Sequence, residues 1–302
     1  MINSINLQKI CKELHIPIVG IAPWPLPADA KNILYESNPC PFTAADVAER
    51  TRGPKDFEPP HSAIVCLFPY YVNYTGPANV SRYTWAKDYH LVINDYLTRL
   101  VNELSILEPS AQFSIHCDTS PLSGPIHGIS GGTRLLRQEQ MLYQSHLGGI
   151  LYRHRHGTHH TETGTGYAST ESCIGCNRCI TSCLGQCLGN NGFSYATCKS
   201  YLTQKKGDLT DTERAIIGKT PLIFGCDVCQ EVCPHNKNLP TTPIVEFQSI
   251  EPVVDTSELK SLTNKEFKAK FGHRAFSWRG KKILIRNHEI IDSKKHKDRI
   301  GQ

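Results

Sequence analysis

The chain has 302 residues, of which 39% are hydrophobic and 20% are charged, and its net charge is +5. This ordinary composition excludes a largely disordered chain, a coiled coil and a collagen. No run of about 18 apolar residues occurs, and the N-terminus lacks the basic and apolar regions of a secretory signal. We therefore expect a cytoplasmic protein with no membrane association, and its mild positive charge is compatible with nucleic-acid binding.

The N-terminal part of the chain alternates between helical and strand patterns. Apolar residues at helical spacing predict helices, and compact or alternating apolar runs predict strands. The predicted elements, in chain order, are a helix at residues 5–14, a strand at 15–21, a strand at 63–68, a helix at 89–104 and a strand at 113–117. Such alternation predicts a sheet covered by helices. Farther along, a proline-containing linker at 239–243 leads to a helical, basic tail.

Thirteen cysteines in a chain with no secretory signal indicate metal or redox ligation rather than disulfides. One group has the ligand spacing of bacterial ferredoxins, in which three cysteines of a run hold one cubane and the fourth binds the other. The eight grouped cysteines are Cys173-x2-Cys176-x2-Cys179-x3-Cys183, Cys226-x2-Cys229-x3-Cys233-Pro234, and Cys198 between the two groups. They suffice for two [4Fe-4S] clusters.

The crossed assignment gives each predicted cluster four ligands. The first cluster takes Cys173, Cys176, Cys179 and Cys233, and the second takes Cys183, Cys198, Cys226 and Cys229. Zinc is the alternative, since all-cysteine zinc sites also use Cys-x2-Cys pairs, but a 2-2-3 run is unusual for zinc. The other five cysteines are expected to be packing residues, and they are Cys11, Cys40, Cys66, Cys117 and Cys187.

Several ordered segments share their pattern with one known family. They are Arg50-Thr51, Ser81 to His90, Cys117 to Leu122, Cys198 to Thr203, Ile217-Gly218, Phe224 to Pro234, and Phe276 to Asn287. In this pattern the chain resembles the epoxyqueuosine reductases, which are cobalamin-dependent iron–sulfur enzymes of tRNA modification. The resemblance covers most of the chain. Its most specific part is the run Cys-Asp-Val-Cys-Gln-Glu-Val-Cys-Pro, and its last segment corresponds to a short C-terminal helix that ends in an Arg-Asn pair.

The resemblance and the predicted elements together imply an α+β fold in three parts. A cobalamin-binding α/β catalytic domain would occupy residues 1–165, a ferredoxin-like domain with two [4Fe-4S] clusters 166–240, and a short helical C-terminal region 241–302. Electrons would pass through the clusters to cobalamin, which would remove the epoxide oxygen of epoxyqueuosine at the tRNA wobble position. We expect a monomer that uses an unidentified electron donor.

The resemblance places Asp118 at the position of the family's proton donor. A carboxyl can protonate the departing oxygen only if burial or its neighbours raise its pKa. The alternative is structural, because an aspartate before Thr-Ser-Pro is also typical of a turn cap.

The resemblance also implies contacts with cobalamin and tRNA. Arg50, Ser81, Asp118 and Gly225 would line the cobalamin, where a glycine permits close approach of the backbone. A turn glycine and surface polar residues are the alternative. Lys205 would contact tRNA phosphates, although adjacent lysines are usually a solvated pair.

Residues 124–166 depart from the family pattern. The family has a Gly-Leu-Gly-aromatic-x-Gly-Lys-Asn loop here and then an aromatic-rich strand, whereas this stretch has six histidines and no lysine. The interpretations are a histidine metal site, a basic tRNA-binding loop and a frameshift. With suitable codons, a one-nucleotide shift turns Thr133–Met141 into Leu-Gly-Phe-Tyr-Gly-Lys-Asn-Lys-Cys, which restores the loop. Since out-of-frame residues are not selected to pack, we expect 124–166 to be extruded as a poorly packed loop.

Other functions remain open at this stage. A two-cluster electron-transfer protein would bind no cobalamin, a corrinoid iron–sulfur reductase of a small molecule would turn over without tRNA, and a nonenzymatic tRNA-binding protein would have no redox turnover. Each makes a distinct prediction about cofactor and substrate.

The frameshift hypothesis predicts two compensating single-nucleotide indels that flank codons 124–166 in the coding DNA. It also predicts weak cobalamin binding and impaired activity of this copy, because one wall of the pocket would be lost. Sequencing of the gene decides it. A gene with no family-like alternative frame in this region would make the segment a divergent functional insert.

Overall fold

The computed structural model describes residues 2–23, 40–42, 62–118, 145–153, 174–189 and 192–300. The chain forms two compact units. Unit 1 comprises Met1–Pro69 and His90–Cys176, and unit 2 comprises Tyr70–Tyr89 and Asn177–Gln302. No helix within these described ranges is long and apolar enough to cross a membrane.

The elements of unit 1, in chain order, are α1 (Ser4–Glu13), β1 (Ile18–Pro23), β2 (Ser62–Pro69), α2 (Tyr89–Leu107, whose first residue belongs to unit 2), β3 (Gln112–Cys117) and β4 (Ser145–Arg153). The strands form one antiparallel sheet in the order β1-β2-β4-β3. Strand β2 is buried over nearly its whole length, which explains its continuous apolar run. The predicted helices and strands of this region are thereby confirmed, with small shifts at their ends.

Helices α1 and α2 supply the packing of unit 1. The side chain of Asn3 caps α1 by accepting a hydrogen bond from the backbone of Asn6 at 2.9 Å. Cys11 of α1 is buried and hydrogen-bonds Cys66 of β2. Tyr96 of α2 makes an edge-to-face contact with Phe68 of β2, with ring centroids 5.7 Å apart. Cys11 and Cys66 are therefore packing residues, as the sequence predicted.

The expectation that all of residues 124–166 form an extruded loop is wrong at 145–153. These residues form β4, which pairs with β2 on one side and β3 on the other. Backbone hydrogen bonds join the strands whatever the side chains are. In addition, Gly148 and Gly149 stand opposite Cys66 and Val65, where they place no side chain against the neighbouring strand. The rest of the segment lies outside the described residues.

Unit 2 is built from short helices. Its elements are α3 (Arg178–Thr181), β5 (Leu188–Gly189), β6 (Gly192–Phe193), α4 (Lys199–Leu202), α5 (Asp211–Ile217), α6 (Val228–Glu231), α7 (Thr256–Ser261), α8 (Asn264–Phe271) and α9 (Lys281–Ile300). Strands β5 and β6 form a two-stranded antiparallel hairpin. Unit 2 also has short 3-10 helices, which lie at Arg82–Thr84, Tyr195–Thr197, Pro234–Asn236, Val245–Phe247 and Ala275–Arg279.

The main core of unit 2 joins three stretches of the sequence. Val80 and Trp85 pack with Leu202 and Phe224, and with Phe276 of the C-terminal region. This packing differs from the three predicted domains, because residues 70–89 and 241–302 belong to the same compact unit as most of the cysteines. The predicted domain boundaries therefore remain a proposal.

Two buried polar side chains of the C-terminal region fix this arrangement. The guanidinium of Arg274 donates to the backbone oxygen of Thr84 and to the carboxylate of Glu251, the latter at 2.6 Å. The amide of Asn287 donates to the backbone oxygens of Thr203 and Ile223, each at 2.8 Å. Helix α9 has 20 residues, and Asn287 lies in its second turn, so the expected short helix that ends in Arg-Asn is wrong.

Replacement of Asn287 should destabilise unit 2. Asn287→Ala leaves two buried carbonyl groups without their donor, which should lower the free energy of unfolding by about 2–3 kcal/mol. The control is Glu289→Ala on the same helix, whose ion pair with Lys260 is exposed and contributes about 0–1 kcal/mol. Denaturant unfolding of the two variants measures both effects, and equal midpoints would contradict the assigned role.

Candidate iron–sulfur and cofactor sites

Seven of the eight predicted cluster ligands lie in the described residues, and Cys173 lies outside them. The seven are Cys176, Cys179, Cys183, Cys198, Cys226, Cys229 and Cys233, and none of them forms a disulfide. All except Cys176 belong to unit 2. Within the described ranges, no three His, Cys, Asp or Glu side chains are arranged around a point that could hold one metal ion.

Five thiols of unit 2 converge in a small apolar cluster. Cys179 and Cys187 pack there with the partly buried Cys183, Cys198 and Cys229. The single-turn helices α3 and α6 supply Cys179 and Cys229 and contact each other. An all-sulfur donor set inside an apolar shell fits the chemistry of an iron–sulfur cluster, because thiolates are its ligands and low solvent exposure adjusts its potential.

The electrostatic surroundings of Cys198 favour its thiolate. A bond from the Cys187 thiol lowers the pKa of Cys198 to about 6, and the backbone N–H groups of Ser200 and Tyr201 act in the same direction. Burial instead raises the pKa of Cys226 to about 11. Iron binds the deprotonated sulfur, so Cys198 is more readily available as a ligand than Cys226.

A buried ammonium lies beside the predicted ligands of the second cluster, and the sequence analysis missed it. Lys199 is 2% exposed, and its Nζ donates to the backbone oxygens of Ile217 and Thr220 and to the hydroxyl of Thr220, at 2.6–3.0 Å. Burial lowers the pKa of Lys199 to about 8, while its charge favours the thiolate of Cys226. Its position next to Cys198 is the only sequence signal that could have singled it out.

Ser81 and Gly225 lie in direct contact. A Cβ atom on Gly225 would stand 2.4 Å from the Cβ of Ser81, and the φ of Gly225 is +76°. The backbone N–H of Ser81 donates to the oxygen of Phe224 at 2.9 Å, which fixes the two segments side by side. The contact with Ser81 and the left-handed backbone together explain why this position is glycine, with no need of a cofactor.

Asp227 binds the hydroxyl of Ser81. Its carboxylate accepts from Ser81 Oγ at 2.5 Å and from the backbone N–H of Arg82 at 2.8 Å. Burial raises the pKa of Asp227 to about 6. Because Ser81 is fully buried and its hydroxyl is directed to Asp227, it presents no donor to a cofactor in this arrangement. The predicted cobalamin contacts of Ser81 and Gly225 remain predictions, and Arg50 lies outside the described residues.

Asp118 follows the last residue of β3 and adopts a left-handed backbone with φ of 55°. Its side chain is 62% exposed, and its Oδ2 lies 3.5 Å from Nε2 of His90 on α2. The carboxyl is therefore too exposed for burial to keep a proton on it. It does have a neighbour, His90, that can carry a proton. His90 ends the Asp-Tyr-His run of the resemblance, a signal that was not used to assign it a role.

Lys205, the predicted tRNA contact, makes an ion pair with Glu213. Its Nζ lies 2.6 Å from Glu213 Oε1. Although burial opposes ionisation, the bond from Lys205 helps to hold the pKa of Glu213 below its ordinary value. Glu213 also completes the capping box of α5 with Thr210. An ammonium has three donors, so the ion pair leaves capacity for a phosphate.

Two family models match the chain. Residues 172–236 match a model described as a 4Fe-4S double cluster binding domain, and this range contains all eight predicted ligands. Residues 50–119 match a model described as epoxyqueuosine reductase QueG, DUF1730. The first match defines the class of the protein, which is an iron–sulfur protein with a double-cluster domain, and it favours iron–sulfur ligation over zinc.

Known relatives agree with the second model. A curated epoxyqueuosine reductase from Staphylococcus aureus (strain NCTC 8325 / PS 47) is 29% identical over 269 residues, which are 82% of this chain and 67% of that protein. Another from Bacillus subtilis (strain 168) is 33% identical over 210 residues, which are 68% of this chain and 53% of that protein. The chain thus spans about half to two thirds of the length of these relatives.

The fold agrees as well. A crystal structure of epoxyqueuosine reductase with a tRNA-Tyr epoxyqueuosine-modified tRNA stem loop is similar with a TM-score of 0.81 and 24% identity. The match covers 95% of this chain and 80% of that one. In sequence and in fold the chain is therefore similar to epoxyqueuosine reductases, which confirms the resemblance found in its motifs.

Loss of one cluster ligand gives a direct test of the cysteine assignment. The chain purified without oxygen should contain about eight iron atoms, as two [4Fe-4S] clusters require. Cys226→Ala should lower the iron content to about half, or unfold unit 2, because it removes a ligand of the second cluster. Iron analysis and visible absorption measure the change. Stoichiometric zinc without iron–sulfur charge-transfer absorption would contradict the assignment.

Proposed function

We propose that the chain reduces epoxyqueuosine to queuosine at the wobble position of tRNA, with electrons that pass through two [4Fe-4S] clusters to cobalamin. The proposal is supported above all by the convergence of buried cysteines within the stretch that matches a double-cluster domain. Similarity to these relatives supports the substrate, because the curated relatives are epoxyqueuosine reductases. These relatives do not favour a two-cluster electron carrier or a small-molecule corrinoid reductase.

The thiols would hold both clusters in an environment suited to electron transfer. The crossed assignment gives each cluster ligands from both cysteine groups, so the two clusters would share one folded segment and lie close together. Lys199 would add a buried positive charge beside the second cluster, which favours its reduced, more negative state.

Cobalamin, when bound, would supply the reduced cobalt that removes the epoxide oxygen. Conversion of an epoxide to an alkene and water takes two electrons and two protons, so the chain must also deliver protons. Asp118 would donate one of them to the departing oxygen once bound cofactor and tRNA cover its carboxyl, which is 62% exposed in the chain alone. His90, whose Nε2 lies 3.5 Å from Asp118 Oδ2, is placed to return a proton to that carboxyl.

Substrate binding would use the positive charge of the chain. Lys205 would contact tRNA phosphates with an N–H donor that its ion pair with Glu213 does not use. We further propose a cytoplasmic, monomeric enzyme, since its tRNA substrate is cytoplasmic, that receives electrons from a separate donor.

The decisive experiment is anaerobic reconstitution with iron, sulfide and cobalamin, followed by nucleoside analysis of tRNA that carries epoxyqueuosine. Queuosine should form only when cobalamin and a chemical reductant are both present. RNA binding without turnover by the fully reconstituted chain would contradict the proposal, provided that the coding DNA shows no frameshift at codons 124–166.

Replacement of Asp118 tests its role as proton donor. Asp118→Asn keeps the shape of the side chain but removes the proton, so it should retain iron and cobalamin and lose epoxide reduction by about 100-fold or more. Asp95→Asn is the control, because it changes an exposed carboxylate of α2 that pairs with Arg99 on the same helix. The parent must itself be active, so a version with the family-like loop restored at 133–141 is used if the native chain is not. Unchanged turnover in Asp118→Asn would make Asp118 a turn residue.

A further inference from the structure

Cys187, which the sequence assigned to packing, lies among the predicted ligands of the second cluster. Its Sγ stands 3.2 Å from Sγ of Cys183, and its backbone N–H donates to the same sulfur at 3.3 Å. Its thiol also hydrogen-bonds Cys198. Cys187 is 5% exposed, so it is a buried fifth thiol in contact with two of the four assigned ligands.

The local backbone explains this placement. The turn between Cys183 and Cys187 passes through Gly185, where a Cβ atom would stand 1.7 Å from the backbone oxygen of Thr197. Only glycine permits this contact, which brings the turn against the segment that ends at Cys198. Cys183, Cys187 and Cys198 therefore meet because of backbone packing, and the contact does not depend on the position of one flexible side chain.

We propose that Cys187 is a reserve ligand of the second [4Fe-4S] cluster, able to replace Cys183 at its iron. The inference rests on the proposed two-cluster assignment. Two sulfurs 3.2 Å apart can reach the same iron in turn with only a small movement. In the exchange, the bond from iron to Cys183 breaks, the bond to Cys187 forms, and a proton passes from the Cys187 sulfur to the Cys183 sulfur. No oxidation state changes.

The apolar surroundings support this role. Leu188 and Phe193 pack on the same thiols, so both sulfurs stay shielded from water during an exchange. The Cys187 sulfur contacts those of Cys183 and Cys198, so it is placed to replace the Cys183 sulfur. Cys226 serves as the comparison ligand. Loss of the Cys183 sulfur should therefore be tolerated, and loss of the Cys226 sulfur should not.

Four variants of the full chain test the inference after anaerobic reconstitution with iron and sulfide. They are Cys183→Ala, Cys187→Ala, the double variant Cys183→Ala/Cys187→Ala, and Cys226→Ala. Alanine is used because a serine oxygen could itself bind iron. Iron and sulfide content give the number of clusters, and electron paramagnetic resonance of the reduced protein reports a change of ligand.

Cys183→Ala and Cys187→Ala should each retain about eight iron atoms, as two clusters require. The double variant and Cys226→Ala should each lose about half of the iron. Cys183→Ala should also show an altered spectrum of one cluster, whereas Cys187→Ala should retain the parent spectrum. If Cys183→Ala loses as much iron as Cys226→Ala, the reserve role is wrong. If the parent chain itself binds no iron, the proposed cluster assignment fails instead.

Discussion

The arrangement of unit 2 depends on the pairing of two short stretches, one that contains Ser81 and one that contains Phe224. Ile223 donates to the backbone oxygen of Asn79 at 2.7 Å, and Ser81 donates to that of Phe224 at 2.9 Å. The contact is so close that the next residue must be glycine. It sets the start of the Cys226–Cys233 segment, so the position of three predicted ligands depends on a backbone contact with residues far away in the sequence.

Two buried charges lie beside those ligands, and each is stabilised by hydrogen bonds. Burial of an unpartnered charge costs several kcal/mol, which explains why Asp227 accepts two hydrogen bonds and Lys199 donates three. One charge is held by the segment that includes Ser81, and the other by the end of α5 and the residues after it. The polar groups that could tune a cluster are thus fixed by the same contacts that fix the fold.

The sequence predicted those features that depend on local spacing. The cysteine runs indicated a double-cluster domain, and the apolar periodicity gave α1, α2 and three strands of the sheet. It did not predict β4, because a strand with two central glycines at its pairing positions has little apolar alternation. It also assigned Cys187 to packing, since the distance that makes it a ligand candidate arises from a contact between Gly185 and Thr197. The burial of Lys199 depends on acceptors about twenty residues away.

The two parts of unit 2 differ in what could hold them together. The larger part has an extended aromatic and aliphatic core, with the buried Phe224, Phe271 and Phe276, and the long helix α9 contributes Leu284 and Ile291 to it. The described residues between 178 and 198 form a four-residue helix, a hairpin with two-residue strands and a single turn at Tyr195–Thr197, and thiols predominate in their apolar cluster. Isolated single turns and two-stranded hairpins are unstable in water. Iron–sulfur ligation would then be the main cross-link of this segment, and a spare thiol within it would protect the local fold as well as the electron path.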